Sequence, residues 1–274
     1  MTCNQHDDTK KIYDSIAEQY VEFKKAPFRT AIEEYTLFDV MILPNEFDRI
    51  NKQQPVIRIL DLACGDGHYT RKLKERFPQN SFICGLDISS SMIDLANMKE
   101  TQLQQGIKYV CADGKAYTTT TELHLVDQYD IVTSAFYLNY ARTHDELRDM
   151  IRGIYIQLKA GGTFYSITDN ICSPLDCYNN EKHKKYSFYR EMMEDSLRDG
   201  MSIKFSYYEN VDSPSSCCLY AFYISPHVYE QLFIECGFSS FQWIQAQCDP
   251  NYPDRDYFDD FFRYPVLIGI IAKK

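Results

Sequence analysis

The chain has 274 residues, of which 45% are hydrophobic and 25% charged, and its formal net charge is −10. This length and apolar content suffice for one large domain with a full core. The acidic balance makes a nucleic-acid partner unlikely, because neutralising phosphates requires a basic surface, and no run rich in Lys or Arg occurs. No apolar stretch resembles a membrane span or a signal peptide, so we expect a cytoplasmic protein without membrane association.

The ten cysteines form no C-x-x-C pair, and their fraction is far below that of a disulfide scaffold. We therefore expect reduced thiols and no metal site.

The first fifty residues carry two helical patterns. Lys10 to Lys25 places Tyr13 and Tyr20 on one apolar face, and Ala31 to Leu43 shows a second amphipathic pattern. Such faces usually indicate core packing. Arg29 is either a solvated residue at the start of the second helix or a group that holds a carboxylate or polar atom of a ligand.

The most informative stretch is Ile57 to His68, which reads Ile-Arg-Ile-Leu-Asp-Leu-Ala-Cys-Gly-Asp-Gly-His. Its apolar run predicts a buried parallel strand. Gly65 and Gly67 predict a tight turn into a helix from Tyr69, where the backbone can approach a ligand closely. A dinucleotide fingerprint would have a third glycine where this chain has Thr70, which makes a nicotinamide cofactor the least favoured alternative.

The next strand, Ser81 to Leu86, ends in Asp87, about twenty residues after Gly65. A carboxylate there can accept hydrogen bonds from both hydroxyls of a ribose. The alternative is that Asp87 caps the following helix, Ser89 to Lys99, although Ser89 itself can supply that cap.

Two more strands are predicted at Ile107 to Cys111 and Gln128 to Ser134. The first is followed by Ala112, Asp113 and Gly114, which can either contact a ligand or simply form a turn. A helix over Arg142 to Leu158, closed by Gly161 and Gly162, and a fifth strand from Thr163 to Thr168 continue the alternation.

Residues 171–224 interrupt this alternation with a Tyr-rich insertion. It contains a predicted hairpin that pairs Ile203 to Tyr208 with Leu219 to Ile224, and we expect the insertion to form one wall of a ligand pocket. A helix from Ser225 to Phe238 and an antiparallel pair, Ser239 to Ile244 with Val266 to Ala272, complete the pattern. Asp249 to Asp260 is interpreted as a solvated loop rather than a cation site.

Together these motifs resemble class I S-adenosylmethionine-dependent methyltransferases. The segment Asp61-Leu62-Ala63-Cys64-Gly65-Asp66-Gly67 is similar to the first motif of that family. Tyr13 to Tyr20 is similar to the Y-D-x-x-A-x-x-Y segment that many small-molecule members fold over the cofactor as a lid. With Glu22 to Arg29 and Leu138 to Ala141, the similarity is greatest to toxoflavin synthase-like methyltransferases, which N-methylate a fused nitrogen heterocycle.

The resemblance, which covers about residues 10–170, implies an α/β fold with a doubly wound, seven-stranded, mostly parallel sheet of the Rossmann-like methyltransferase kind. We expect one domain over residues 1–274. Its parts are an N-terminal helical lid (10–50), a cofactor-binding core (56–170), an inserted substrate cap (171–224), and a C-terminal helix with an antiparallel strand pair (225–274).

The cofactor implied is S-adenosylmethionine, with S-adenosylhomocysteine as product. The residues expected to bind it lie on the lid and at the ends of the strands: Tyr13, Tyr20, Arg29, Asp61, Ala63, Gly65, Gly67, Asp87, Ile88, Met92, Ala112, Asp113, Gly114, Ser134 and Tyr137.

A base is useful if the acceptor is a hydroxyl or a ring N–H. The residues expected to act in catalysis line the methyl-transfer chamber or follow the fourth and fifth strands: Tyr13, Tyr20, Asn139, Tyr140, His144 and Asp169.

Methyltransferases that act on the amino groups of bases or protein amides carry an N/D-P-P-Y/F motif after the fourth strand, where this chain has Thr133 to Phe136. We therefore expect methyl transfer to a nitrogen or oxygen of a small molecule, which could be a heterocyclic metabolite. An RNA or protein methyltransferase and a catalytically silent S-adenosylmethionine-binding regulator are the alternatives.

Overall fold

The computed structural model describes residues 11, 13–15, 25–46, 56–114, 128–208 and 215–274. In these residues the chain forms one seven-stranded sheet flanked by helices and one separate three-stranded antiparallel sheet. The ten strands are β1 (Ile57–Leu62), β2 (Ser81–Asp87), β3 (Lys108–Cys111), β4 (Tyr129–Ala135), β5 (Leu158–Asp169), β6 (Phe188–Met192), β7 (Ser202–Tyr207), β8 (Cys217–Phe222), β9 (Ser240–Gln245) and β10 (Leu267–Lys273).

The helices follow the strands closely in sequence, as expected for a doubly wound sheet. They are a π-helix (Arg29–Ile42), α1 (His68–Arg76), α2 (Ser90–Leu103), α3 (His144–Gln157), α4 (Pro226–Glu235) and α5 (Asp259–Arg263), with short 3-10 turns at Leu138–Tyr140, Leu175–Cys177, Glu181–Tyr186 and Asp256–Phe258.

The large sheet has the strand order β3-β2-β1-β4-β5-β10-β9. Strands β1 to β5 pair in parallel, whereas β10 is antiparallel to both β5 and β9. The strand order reverses between β1 and β4, so a crevice opens at their carboxyl ends, the place where such sheets bind ligands. The predicted fold and the terminal antiparallel pair are confirmed.

Strand β1 is buried on both faces and divides the core into two layers. Leu60 and Leu62 point to the side of the sheet that α3 and α4 cover. Ile57 and Ile59 point to the opposite side, which the π-helix and α1 cover. The alternation follows from the two-residue period of a strand, and burial on both faces explains the nearly continuous apolar run in the sequence.

The second predicted N-terminal helix is present over Arg29–Ile42, wound with the wider hydrogen-bonding pattern of a π-helix. The pattern is visible at its end, where the N–H of Leu43 donates to the carbonyl of Phe38. The helix packs closely on β10, because a Cβ on Gly269 would lie 2.6 Å from the sulfur of Met41.

The predicted role of Gly161 and Gly162 as the end of the preceding helix is wrong. Helix α3 ends at Gln157, and both glycines lie inside β5. The pairing of β5 with β4 shifts register there, and the N–H of Gly161, whose φ is +75°, donates to the carbonyl of Lys274. The glycines thus permit a strand irregularity that pairs with the chain end.

The insertion forms the three-stranded sheet β6-β7-β8, which contains the predicted hairpin and one strand, β6, that was not predicted. Arg190 on β6 is fully buried and donates to Asp169 at the end of β5 over 2.7 Å. It also donates to the hydroxyl of Ser173 and lies 3.6 Å from the ring centroid of Tyr178. These contacts attach the insertion to the carboxyl end of β5 in the large sheet.

Replacing Arg190 by alanine should lower the free energy of unfolding by about 3–5 kcal/mol, because it leaves the Asp169 carboxylate buried without its partner charge. Denaturant unfolding would measure the loss. The matched control is Arg198→Ala, whose partner Glu194 and whose own side chain are exposed, so the expected loss is at most about 1 kcal/mol. Equal losses in the two variants would contradict an anchoring role for Arg190.

Candidate active site

The turn after β1 is built from left-handed backbone. Ala63, Gly65 and Gly67 have φ values of 54°, 56° and 78°. A Cβ on Gly67 would lie only 2.4 Å from the hydroxyl oxygen of Tyr109 on β3. Gly67 is therefore required both by its backbone conformation and by the tyrosine ring packed against it.

Asp87 binds the glycine turn from the neighbouring strand end. Its carboxylate accepts hydrogen bonds from the N–H of Gly65 over 2.8 Å and from the N–H of Ser89 over 2.9 Å. The cap of α2 is supplied by the hydroxyl of Ser89, which accepts from the N–H of Met92. Asp87 thus fixes the shape of the crevice floor, and ribose binding by the same carboxylate stays a prediction.

Asp61 is 2% exposed and joins three elements beneath the turn. Its carboxylate accepts from the hydroxyl of Thr70 on α1 over 2.6 Å and from that of Thr133 on β4 over 3.1 Å. These contacts hold the start of α1 against the two central strands. Thr70 occupies the position of the third glycine of a dinucleotide fingerprint, and here its side chain bonds to Asp61.

A second polar region lies at the end of β3. The N–H of Ala112 donates to the carbonyl of Asp87, and Gly114 leaves room for Tyr137, whose hydroxyl oxygen would be 2.9 Å from a Cβ there. Burial, together with the charge of Asp113, raises the pKa of Tyr137, so its hydroxyl stays protonated. In the described chain this buried hydroxyl has no hydrogen-bond partner.

The described residues of the N-terminal segment predicted to be a lid contact both sides of the crevice. Tyr13 forms a short hydroxyl–hydroxyl hydrogen bond with Tyr140, just after β4. The next residue, Asp14, accepts from the hydroxyl of Ser89 over 2.5 Å and from the N–H of Ser91. Two adjacent lid residues thus contact the ends of β4 and β2. Tyr20 lies outside the described residues.

The remaining predicted cofactor contacts surround the same strand ends. Met92 is buried beside Leu219 of the insertion, and the carbonyl of Ile88 accepts from the thiol of Cys111. The hydroxyl of Ser134, in contrast, forms a hydrogen bond with the hydroxyl of Ser166 inside the sheet.

Three predicted catalytic residues differ in their surroundings. Asn139 is 5% exposed, and its amide oxygen has no hydrogen-bond partner in the described chain. His144 pairs with Asp199 at the surface over 2.5 Å, and Asp169 is bound to Arg190. Burial raises the pKa of Asp169, although Arg190 opposes that effect. His144 and Asp169 thus both bind residues of the insertion. These contacts do not support a role for either residue as a catalytic base.

A small aromatic cleft lies between the π-helix, the end of β4, the insertion and the start of β10. Its walls contain six aromatic rings, one Arg–Glu pair and two aliphatic side chains. They are Phe28, Phe136, Phe188, Phe205, Tyr207, Phe261, Arg29, Glu33, Val266 and Leu267.

The Arg–Glu pair in the cleft is part of a buried network. Nη1 of Arg29 donates to both carboxylate oxygens of Glu33 over 2.8 Å, and the hydroxyl of Tyr69 on α1 donates to the same carboxylate over 2.6 Å. Burial and the charge of Glu33 raise the pKa of Tyr69 well above its usual value, which keeps this hydroxyl a donor.

Sequence reasoning identified Arg29 but missed Glu33. The available signal was their spacing of four residues, which places two side chains on one face of an α-helix. The structure preserves their contact within the π-helix.

A second bond connects the same elements. His68, at the start of α1, is 2.7 Å from the carboxylate of Glu34 on the π-helix. Although burial alone would raise the pKa of Glu34, the hydrogen bond from His68 and the nearby positive charges hold it below its usual value. The helix that begins at the glycine turn is therefore tied to the helix that lines the aromatic cleft.

Within the described ranges, no group of His, Cys, Asp and Glu side chains is arranged to hold a metal ion. The nine cysteines in those ranges are free thiols. None of the helices there is both long and apolar enough to cross a bilayer.

Residues 59–162 match a family model described as a methyltransferase domain. Over 131 residues the chain is 31% identical to malonyl-[acyl-carrier protein] O-methyltransferase of Priestia megaterium, a match that covers 47% of this chain and 43% of that protein. It is 28% identical over 112 residues to ubiquinone biosynthesis O-methyltransferase of Coxiella burnetii, covering 41% and 43%. The chain thus spans less than half the length of the curated relatives it matches.

A solved S-adenosylmethionine-dependent methyltransferase from Clostridium acetobutylicum superposes with a TM-score of 0.58 at 14% identity, covering 93% of this chain and 97% of that one. At this identity the likeness concerns the fold. Residues 59–162, which contain the glycine turn and β2 to β4, thus match a methyltransferase domain, and the chain has the Rossmann-like fold of that solved structure.

Proposed function

We propose that this protein transfers a methyl group from S-adenosylmethionine to a nitrogen or oxygen atom of a small, flat acceptor such as a heterocyclic metabolite. The observation that carries the proposal is the aromatic cleft. It includes Phe136, the residue directly after β4, and so adjoins the strand ends that surround the glycine turn.

The residues at these strand ends fit the methyl donor. Asp87 lies against the glycine turn, where its carboxylate is placed to bind a ribose. At the end of β3, Asp113 and the buried hydroxyl of Tyr137 offer polar atoms for the edge of an adenine ring. Buried polar atoms such as this hydroxyl and the amide oxygen of Asn139 normally have partners, and a bound nucleoside would supply them.

The bound cofactor supplies an electrophilic methyl group on a positively charged sulfur, so the protein's main task is to hold the acceptor in line with that methyl. Positioning of this kind can contribute about 7–11 kcal/mol to lowering the barrier. Tyr13 and Tyr140, which meet across the crevice, are placed to border the methyl-transfer chamber, as the resemblance to small-molecule methyltransferases implies. An aromatic face beside the sulfonium would stabilise its charge by about 0.5–2 kcal/mol.

The cleft favours a flat, uncharged acceptor. Aromatic walls bind a planar ring by stacking and edge contacts. The charges of Arg29 and Glu33 neutralise each other, so the pair gives the cleft no net charge for an ionic ligand. Both curated relatives reported above are named as O-methyltransferases, and the sequence resemblance is to N-methylating enzymes, so the proposal includes both atoms.

An RNA or protein methyltransferase would need an open groove for its substrate. The cleft described above is lined by buried and half-buried rings, and the chain carries a net charge of −10. Both observations favour a small acceptor.

The proposal is tested by mass spectrometry of the purified protein for a co-purifying S-adenosyl nucleoside. A screen of neutral heteroaromatic N–H and O–H compounds for formation of S-adenosylhomocysteine follows. Turnover with a small compound would support the proposal. Cofactor binding without turnover on the whole panel would favour a silent regulator instead.

Asp87→Ala should weaken S-adenosylmethionine binding by about tenfold or more, because hydrogen bonds to a charged group are lost. Isothermal titration calorimetry would measure the change. Asp94→Ala, which removes an exposed carboxylate on the same helix that Asp87 precedes, should leave the affinity unchanged. Unchanged affinity in Asp87→Ala would remove this residue from the cofactor site.

Phe205→Ala should raise the KM of the acceptor by about tenfold, because one aromatic wall of the cleft is lost. The affinity for S-adenosylmethionine should stay the same. Tyr220→Ala is the matched control, since Tyr220 is exposed and lies on the opposite face of the same small sheet. Steady-state kinetics in which both variants behave alike would argue against acceptor binding in the cleft.

A further inference from the structure

Among the described residues that line the aromatic cleft, Glu33 is the one carboxylate. It is 1% exposed, which is unusual for a charged side chain without a specific partner. Its neighbours explain how it is stabilised there, because Arg29 supplies the opposite charge and Tyr69 a further hydrogen bond. The side chain is therefore fixed in orientation by two residues from two helices.

The carboxylate still has capacity for another donor. A carboxylate has two oxygens with about four acceptor positions. In the described part of the chain, Oε2 accepts from both Arg29 and Tyr69, whereas Oε1 accepts only from Arg29. One oxygen of a fixed, buried carboxylate at the wall of an aromatic cleft thus remains available to a ligand.

We infer that Glu33 determines acceptor specificity by accepting a hydrogen bond from an N–H or O–H group on the edge of a neutral, planar acceptor. This inference rests on the proposed function, since it takes the cleft as the acceptor site. An acceptor with a carboxylate or phosphate in that place would be repelled by Glu33, and a ring without a donor would leave Oε1 desolvated and unpaired. Glu33 therefore disfavours both anionic acceptors and rings without a hydrogen-bond donor.

Glu33 is also connected to the cofactor side of the crevice. Tyr69 is the second residue of α1, the helix that begins directly after Gly67 of the glycine turn. The bond from Tyr69 to Glu33 therefore sets the position of the acceptor-binding carboxylate relative to the strand ends that bind the methyl donor.

The test uses the full chain saturated with S-adenosylhomocysteine, so that binding is measured without turnover. The probes are indole, benzimidazole and 4-quinolone, each with its N-methyl derivative and a C-methyl isomer, and dissociation constants are obtained by ligand-observed NMR. The C-methyl isomers keep the N–H and control for the added bulk. We expect the N–H compounds, including the C-methyl isomers, to bind about tenfold more tightly than the N-methyl compounds.

The variants separate recognition from folding. Glu33→Gln keeps the shape but removes the charge and should reduce the preference. Because removal of one partner from a buried ion pair can unfold a protein, the second variant is the double substitution R29M/E33M, which replaces the pair by apolar side chains. It should retain the far-ultraviolet circular dichroism spectrum of the unmodified protein, which shows that it folds, and lose the preference. Tyr69→Phe removes one of the two bonds that orient the carboxylate, so the preference should fall less than in R29M/E33M.

Three outcomes would overturn the inference: equal binding of N–H and N-methyl probes by the unmodified protein, a preference that survives in R29M/E33M, or no probe binding while S-adenosylhomocysteine binds. If the preference is found but no compound is ever methylated, the proposed function fails and the specificity of the cleft stands. If turnover is found without the preference, the assignment of Glu33 alone fails.

Discussion

The architecture of the site depends on one carboxylate at a strand end. Asp87 accepts hydrogen bonds from the backbone of Gly65 and of Ser89, and so joins the turn after β1 to the start of α2. A buried carboxylate holding two backbone donors is a strong and directional constraint, since bonds to a charged acceptor exceed those between neutral groups. It acts together with the backbone bond from the N–H of Cys64 to the carbonyl of Leu86, which also holds the turn against the end of β2.

The insertion and the aromatic cleft each contain a buried Arg–carboxylate pair, and the two pairs differ in their surroundings. The pair of Arg190 and Asp169 joins the insertion to β5 and has further protein partners. The pair of Arg29 and Glu33 lies at the wall of the aromatic cleft. Buried ion pairs contribute little net stability because desolvation offsets their attraction, but they define geometry. Here Arg190 holds the insertion at the end of β5, and the bond from Tyr69 to Glu33 holds the π-helix against α1.

The lid and the insertion meet at the same strand ends. Tyr13 packs with Met92 of α2, Leu219 of β8 and Tyr207 of β7, so the N-terminal segment, the cofactor-side helix and the small sheet form one apolar contact. Asp14 adds polar contacts to Ser89. The methyl donor and the acceptor would therefore be enclosed by elements far apart in sequence, which is the arrangement that excludes water from a transfer reaction.

The sequence by itself determined the central strands, the glycine turn, the order of the helices and the terminal strand pair, because these depend on local periodicity and on residues such as Gly67 whose backbone conformation few others adopt. It did not determine that Gly161 belongs to a strand, that β6 exists, or that Asp169 is bound to Arg190. Glu33 was missed for the same reason. Each of these features depends on a partner distant in sequence, whose position is set only when the chain folds: the chain end for Gly161, β7 for β6, the insertion for Asp169, and helix α1 and the aromatic rings for Glu33.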